Sequence, residues 1–226
     1  MSSMRNPAIT SAFTTADSRA RRYQATQFMS SINAFSQLPD DSGLEVALAG
    51  RSNAGKSSAL NLLAGQRQLA RVSKTPGRTQ MINFFTVEAG RSLVDLPGYG
   101  YAQVPEAMRR HWGALLERYL RERAALRGLL LVMDIRHPLT PLDQQLLACC
   151  EARALPVHAL LTKADKLSRG AAAATLRQVT QALRSAKAPA SVQLFSAVTA
   201  QGLDPLHAQL DQWLGYTPAP PAAPPA

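Results

Sequence analysis

The octapeptide Gly50-Arg51-Ser52-Asn53-Ala54-Gly55-Lys56-Ser57 fits the pattern G-x-x-x-x-G-K-[ST]. That spacing lets glycine-rich backbone wrap a phosphate, with successive N–H groups and a helix N-terminus supplying positive potential. Lys56 then reaches the β- and γ-phosphates, and Ser57 offers its hydroxyl to Mg²⁺. The loop alone leaves ATP and GTP equally open. Three later segments favour guanine. Asp95-Leu96-Pro97-Gly98 has the form D-x-x-G, with Asp95 supporting the metal through water and the Gly98 N–H meeting the γ-phosphate. In Thr162-Lys163-Ala164-Asp165 the Asp165 carboxylate is suited to accept both N1–H and the exocyclic amine of guanine. Adenine would leave that acceptor unpaired, and such sites reject the analogue by roughly 10⁴–10⁵. Thr162 stands where an asparagine is usual, and the stem of Lys163 is expected along the purine face. Phe195-Ser196-Ala197 ends a further apolar run; the Ser196 and Ala197 N–H groups are expected to meet the guanine O6.

These residues need rigid supports, and apolar runs precede each of them. Glu45–Ala49, Ser92–Val94, Val157–Leu161 and Val192–Ala197 read as buried strands, while Ser57–Leu63 has helical composition. Chance assembly of four such motifs in this order, each at a strand's end, is remote. The polar stretch Ser73–Gln80 contains the turn formers Pro76 and Gly77. It resembles a switch loop in which Thr75 or Thr79 completes the Mg²⁺ shell. Thr79 is favoured because it lies nearest the strand expected over Ile82–Val87; Gly77, Arg78 and Gln80 flank it at the nucleotide. Tyr99 occupies the position at which many small GTPases carry a water-orienting glutamine. Asn53 has two readings: a ligand for a K⁺ ion bridging the phosphates, or a residue chosen for its turn conformation. Lys56, Thr79 and Asn53 are thus the candidate catalytic groups, with Ser57, Thr79 and Asp95 around the metal.

The expected architecture is a three-layer α/β P-loop fold with a mostly parallel sheet and one antiparallel edge strand, the one after the switch loop. A short helix is expected around Arg22–Phe35. A longer one over 105–127 would bury Trp112, Leu115, Leu116, Tyr119 and Leu120 and present Arg109, Arg110, Arg118 and Arg121 outward. Basic residues 1–22 and the Pro/Ala-rich tail 217–226 read as disordered extensions of a domain spanning 23–216, with its nucleotide core at 44–214. His137 sits at a strand end and is assigned no role. Adjacent Cys149 and Cys150 read as buried thiols in a reducing compartment.

The formal charge of +10 is mostly excess arginine, which favours phosphate and base contacts. No apolar stretch approaches a membrane span.

Taken together, GRSNAGKSSALN (50–61), SKTPGRTQMINFF (73–85), LVDLPGYGYAQVP (93–105), MDIRHPLTPLDQQ (133–145) and LLTKADKL (160–167) resemble the EngB (YihA/YsxC) family of bacterial ribosome-assembly GTPases. The resemblance spans about 44–214, and the threonine form of the guanine motif is the family's own. It implies a cytoplasmic, monomeric GTPase using Mg²⁺ and GTP or GDP. It also implies a part in maturation of the large ribosomal subunit through rRNA and ribosomal proteins, with a link to cell division and septum formation, and neither DNA nor membrane as partner. Two rivals remain at this stage. One is a basic rRNA-binding module with a catalytically idle nucleotide site; the other is a small-molecule kinase, against which Asp165 argues.

Overall fold

The structure, a computed structural model, describes residues 18–70, 81–99, 106–185 and 188–216. Helix α1 covers described residues 18–24. Strands β1 (Gln27–Ile32), β2 (Leu44–Gly50), β3 (Ile82–Glu88), β4 (Arg91–Asp95), β5 (Leu126–Asp134), β6 (Val157–Thr162) and β7 (Ala190–Leu194) form one sheet in the order β1-β3-β4-β2-β5-β6-β7. Helices α2 (Lys56–Leu63), α3 (Glu106–Glu122), α4 (Pro141–Glu151), α5 (Arg169–Leu183) and α6 (Leu203–Trp213) cover its faces.

Alternation along the central strands builds two cores, because successive strand residues face opposite sides of a sheet. Ala47, Ala49, Leu129, Leu131, Ala159 and Leu161 pack with residues of α3, α4 and α5. Val46, Leu48, Leu130, Val132 and Leu160 face α2 and α6, where Leu60, Leu63, Leu206 and Leu210 meet them. Burial on both sides explains why β2 and β6 read as continuous apolar runs rather than alternating ones.

β2 pairs in parallel with β4 and β5, and β6 in parallel with β5 and β7. β3 runs antiparallel to β4 as expected, but it is not the edge. β1 covers it, also antiparallel, in place of the helix expected around Arg22–Phe35. The polar Ser30 and Ser31 carry no helical apolar stripe; pairing with β3 supplies the backbone partners, and Phe28 packs edge-on against Phe85. Residues 18–22, expected within the unstructured arm, belong to α1. That helix is held on α6 by Arg19, Arg22 and Tyr23, all hydrogen-bonded to Asp211, and by stacking of Tyr23 on His207. Residues 1–17 and the tail 217–226 lie outside the described residues.

The long helix also ends earlier than expected. α3 stops at Glu122, and Arg123 turns inward to Glu45 at the start of β2. Leu115, Tyr119 and Leu120 are buried as expected, and Arg118 and Arg121 face solvent paired with Glu122 and Glu117. The side chains of Arg109, Arg110 and Trp112 lie outside the described residues. Cys150 is buried, which pushes its thiol up to about 12, while Cys149 is only half-buried. Among the described residues no helix is long and apolar enough to cross a membrane.

Candidate nucleotide-binding site

Every described motif residue lies at the C-terminal ends of β2, β4, β5, β6 and β7, where open α/β sheets bind ligands. The phosphate loop leaves β2 at Gly50, where an added Cβ would stand 2.5 Å from the Val132 carbonyl oxygen, so only glycine allows β5 to approach this closely. Gly55 caps α2 with φ +97, a left-handed conformation that glycine adopts without strain. Asn53 is also left-handed, with φ 64, and its side chain has no partner among the described residues. The turn reading of Asn53 therefore has direct support, since asparagine tolerates this region better than most residues.

The D-x-x-G segment is stitched to that loop. Leu96 N–H donates to Leu48 O (2.9 Å), Tyr99 N–H to Gly50 O (3.4 Å) and Ser52 N–H to Tyr99 O (2.9 Å). Leu96 and Pro97 are buried and position the segment; Gly98 is partly accessible. Lys56 donates to Asp95, and both side chains are buried. The Tyr99 hydroxyl donates to Asp143 Oδ1 at 2.6 Å, directing the ring toward the start of α4. Burial, then the Asp143 carboxylate, pushes this phenol far above its ordinary range.

The base-side loop is equally tied. Thr162 Oγ1 lies 2.5 Å from Ala54 O and 3.0 Å from Met133 O, so its one proton is shared between the phosphate loop and β5. Lys163 is left-handed, with φ 59, and its Nζ donates to Asn53 O (2.7 Å) and Asp134 Oδ2 (2.9 Å). Its stem thus runs from the base-side loop to the phosphate loop. Ala164 is buried and its N–H donates to Phe195 O (3.1 Å). Phe195 itself is wholly in the core, so it supports the site from beneath.

Asp165 is exposed as a residue but its side chain is largely enclosed, and its Oδ1 accepts the Ser196 hydroxyl at 2.6 Å. That hydrogen bond holds its carboxyl below the usual range, keeping it ionised and aimed. One expectation is corrected. The Ser196 N–H donates to Gln201 O (3.1 Å) and is not available to a base, because the chain turns tightly toward α6. The Ala197 N–H has no partner among the described residues. Gly77, Arg78, Thr79 and Gln80 lie outside the described residues.

The donors around Asp95 suit Mg²⁺. Ser57 at the start of α2 and Asp95 at the end of β4 offer hard oxygen, and one or two protein oxygens plus substrate phosphates are what Mg²⁺ usually takes. Among the described residues no group of three or more His, Cys, Asp or Glu could hold a metal by itself.

Sequence reasoning missed two carboxylates in this neighbourhood, Asp134 and Asp143. Both lie in the 133–145 segment, and their spacing to the motifs carried no signal because the motif residues they meet, Lys163 and Tyr99, are 29 and 44 residues away. With Arg51–Ala54, Val132, Met133, Arg136, His137 and Lys163 they line a cleft of about 220 Å³ beside the phosphate loop.

Comparison with known proteins agrees with this geometry. Residues 45–163 match the family profile described as "50S ribosome-binding GTPase". A "Probable GTP-binding protein EngB" of Nitrosococcus oceani is 56% identical over 193 residues, covering 85% of this chain and 96% of the relative. A crystal structure of a probable GTP-binding protein engB superposes with a TM-score of 0.62 at 18% identity, over 76% of this chain and all of that one. Era, in complex with MgGDPNP and nucleotides 1506–1542 of 16S ribosomal RNA, gives 0.60 at 20% identity over 81% of this chain and 60% of its own. These two structural likenesses speak for the fold. The profile match across half of the chain, and the high identity over nearly the whole of the relative, place this chain in the EngB family of GTPases.

Proposed function

We propose that this protein is a GTP-hydrolysing switch that acts in assembly of the large ribosomal subunit. The observation that carries the nucleotide reading is the joining of the three loops: Thr162 and Lys163 bond to the phosphate loop, and the Asp95–Gly98 segment bonds to it from the other side. Asp165, steadied by Ser196, accepts the two guanine donors. Lys163 lies along the base, and Ala197 N–H meets O6. Lys56 exchanges Asp95 for the β- and γ-phosphates and stabilises the charge that develops there. Ser57 and Thr79 are the residues that would hold Mg²⁺, with Asp95 behind them through water. That ion, when bound, neutralises phosphate charge.

The described residues place no amide at the water-orienting position, since Tyr99 is committed to Asp143. Hydrolysis by the protein alone is therefore slow, and stimulation comes from the ribosomal partner or from K⁺ at Asn53. Equal turnover in K⁺ and Na⁺ would remove the cation from the mechanism. The family description and the +10 charge support a large-subunit partner recognised through rRNA. Cytoplasmic location, a monomeric state and an indirect requirement in division and septum formation belong to the same reading.

Two measurements test it. Asp165→Asn removes the anionic acceptor and presents an amide donor. GTP affinity should drop by about 10²–10⁴, while xanthine nucleotides, with a carbonyl at C2, gain. Unchanged GTP binding would overturn the base assignment. Co-sedimentation with large subunits should favour the protein loaded with a non-hydrolysable GTP analogue over its GDP form at physiological salt. Equal binding that fades with salt would leave only a basic protein adhering to RNA, with its nucleotide site idle.

A further inference from the structure

We propose that Asp134 is a positioning residue that sets how long a guanine nucleotide stays bound, by clamping Lys163 across the phosphate loop. It rests on the reading that the base lies along the Lys163 stem. Asp134 ends β5, directly opposite Thr162 in the β5–β6 register. Its carboxylate is largely enclosed, with the side chain 15% exposed. Oδ2 accepts from Lys163 Nζ at 2.9 Å and from Arg136 Nη2 at 2.6 Å; Oδ1 accepts from Arg136 Nε at 2.9 Å and from the Arg136 N–H at 3.1 Å. The carboxylate is thus fixed by a two-pronged guanidinium and a backbone N–H, with one oxygen aimed at the lysine.

The lysine needs that aim. Its ammonium bridges the base-side loop, β5 and Asn53 O of the phosphate loop, and its own backbone is left-handed. Without an anion, a single carbonyl competes poorly with water for a partly exposed ammonium, and a flexible four-carbon stem then leaves its line. The stem would cease to be a preformed surface for the base, and the link between the base-side and phosphate loops would loosen. Both effects appear in the rate of nucleotide release, since neither changes which base is read by Asp165. Arg136 is nearly half exposed and touches the nucleotide loops only through Asp134 among the described residues. When that guanidinium is lost, the Arg136 N–H and Lys163 Nζ still hold the carboxylate.

The test is stopped-flow release of a fluorescent GDP analogue from the full chain, chased with unlabelled GDP. Asp134→Asn keeps an acceptor for the Arg136 turn but removes the charge. Release should accelerate about tenfold, with the preference for guanosine over inosine diphosphate unchanged. Lys163→Met should also accelerate release, and the double variant should release no faster than Lys163→Met alone, because the two act through one contact. Arg136→Gln should stay within about twofold of the parent, since the Asp134–Lys163 bond survives it. Release from Asp134→Asn within twofold of the parent would overturn the proposal. So would multiplication of the two single effects in the double variant, or an Arg136→Gln effect as large as that of Asp134→Asn, which would make the turn rather than the clamp responsible. A parent chain that holds ADP as well as GDP would instead sink the guanine reading on which the proposal rests. Melting curves of each nucleotide-free variant show whether its fold is intact.

Discussion

Strand β2 carries a buried ion pair near each of its ends, and the two pairs are built differently. At the start, Glu45 receives Arg123 through Nε (3.0 Å) and Nη2 (2.5 Å), and the Tyr119 hydroxyl at 2.8 Å. The guanidinium's other donors reach Pro39 O at 2.7 Å and Asp40 O at 3.1 Å. At the far end, just past Gly50, Lys56 and Asp95 have each other and no further side-chain partner among the described residues. Desolvating charge is costly, and a buried pair is kept in place only when its remaining donors and acceptors are also met. Arg123–Glu45 meets that condition and ties the end of α3 to the sheet. Lys56–Asp95 does not, and an ammonium with spare donors beside a carboxylate with spare lone pairs is ready to exchange partners. The sheet is closed at one end and chemically open at the other.

That contrast can be broken from either side. Arg123→Met leaves Glu45 buried without its counter-charge and should cost about 3–5 kcal/mol of stability, with GDP selectivity kept in whatever remains folded. Chemical denaturation checks it; a loss below 1 kcal/mol would show that the closed end is not what anchors α3. Lys56→Ala should behave in the opposite sense. GTP turnover should fall by about 10²–10³-fold through the lost phosphate contact. The nucleotide-free protein should lose less stability than Arg123→Met, because the Lys56 side chain makes one hydrogen bond where that of Arg123 makes four. Thermal melting beside a phosphate-release assay separates the two effects.

A subtler change lies between the ends. Thr162→Val removes the hydroxyl shared by Ala54 O and Met133 O, leaving two enclosed carbonyls short of a donor. A loss of about 1–3 kcal/mol is expected, together with weaker GDP retention because the phosphate loop loses a tether. Urea unfolding and GDP release rates report it. The smallest effect concerns pH. Burial holds His158 and His207 below the ordinary histidine value of 6.5, so both are neutral in the fold and more readily protonated when unfolded. Their contribution is complete above that value and is lost as pH falls through it, since the unfolded chain then binds more protons. The melting temperature should decline from pH 7.5 to 5.5, with the same slope in Lys56→Ala as in the parent. A flat profile would mean that neither histidine is linked to folding.

Legibility in the sequence followed the range of the interactions. The phosphate loop with its flanking strand and helix is a local pattern, and the structure realises it within a residue or so. Thr162 was legible as the start of the base-side segment because it closes an apolar run. Its two acceptors, 108 and 29 residues away, were not. Strand β1 was read as helix because Gln27–Ile32 is short and polar; only β3, more than fifty residues later, makes it a strand.

The residue types therefore determined the chemistry by themselves. A glycine-rich loop with lysine and serine, then a D-x-x-G segment, then Thr162-Lys163-Ala164-Asp165 have few other uses in this order. Tertiary structure alone decided which charges are free to act. Arg123 is locked to Glu45 across 78 residues, Lys56 is paired with Asp95 alone across 39, and Lys163 is aimed by Asp134 across 29. Spacing along the chain encodes helices, turns and loops because those are made by neighbours. The burial and partnering of a charge depend on which distant strand folds beside it, and that is settled only when the sheet assembles.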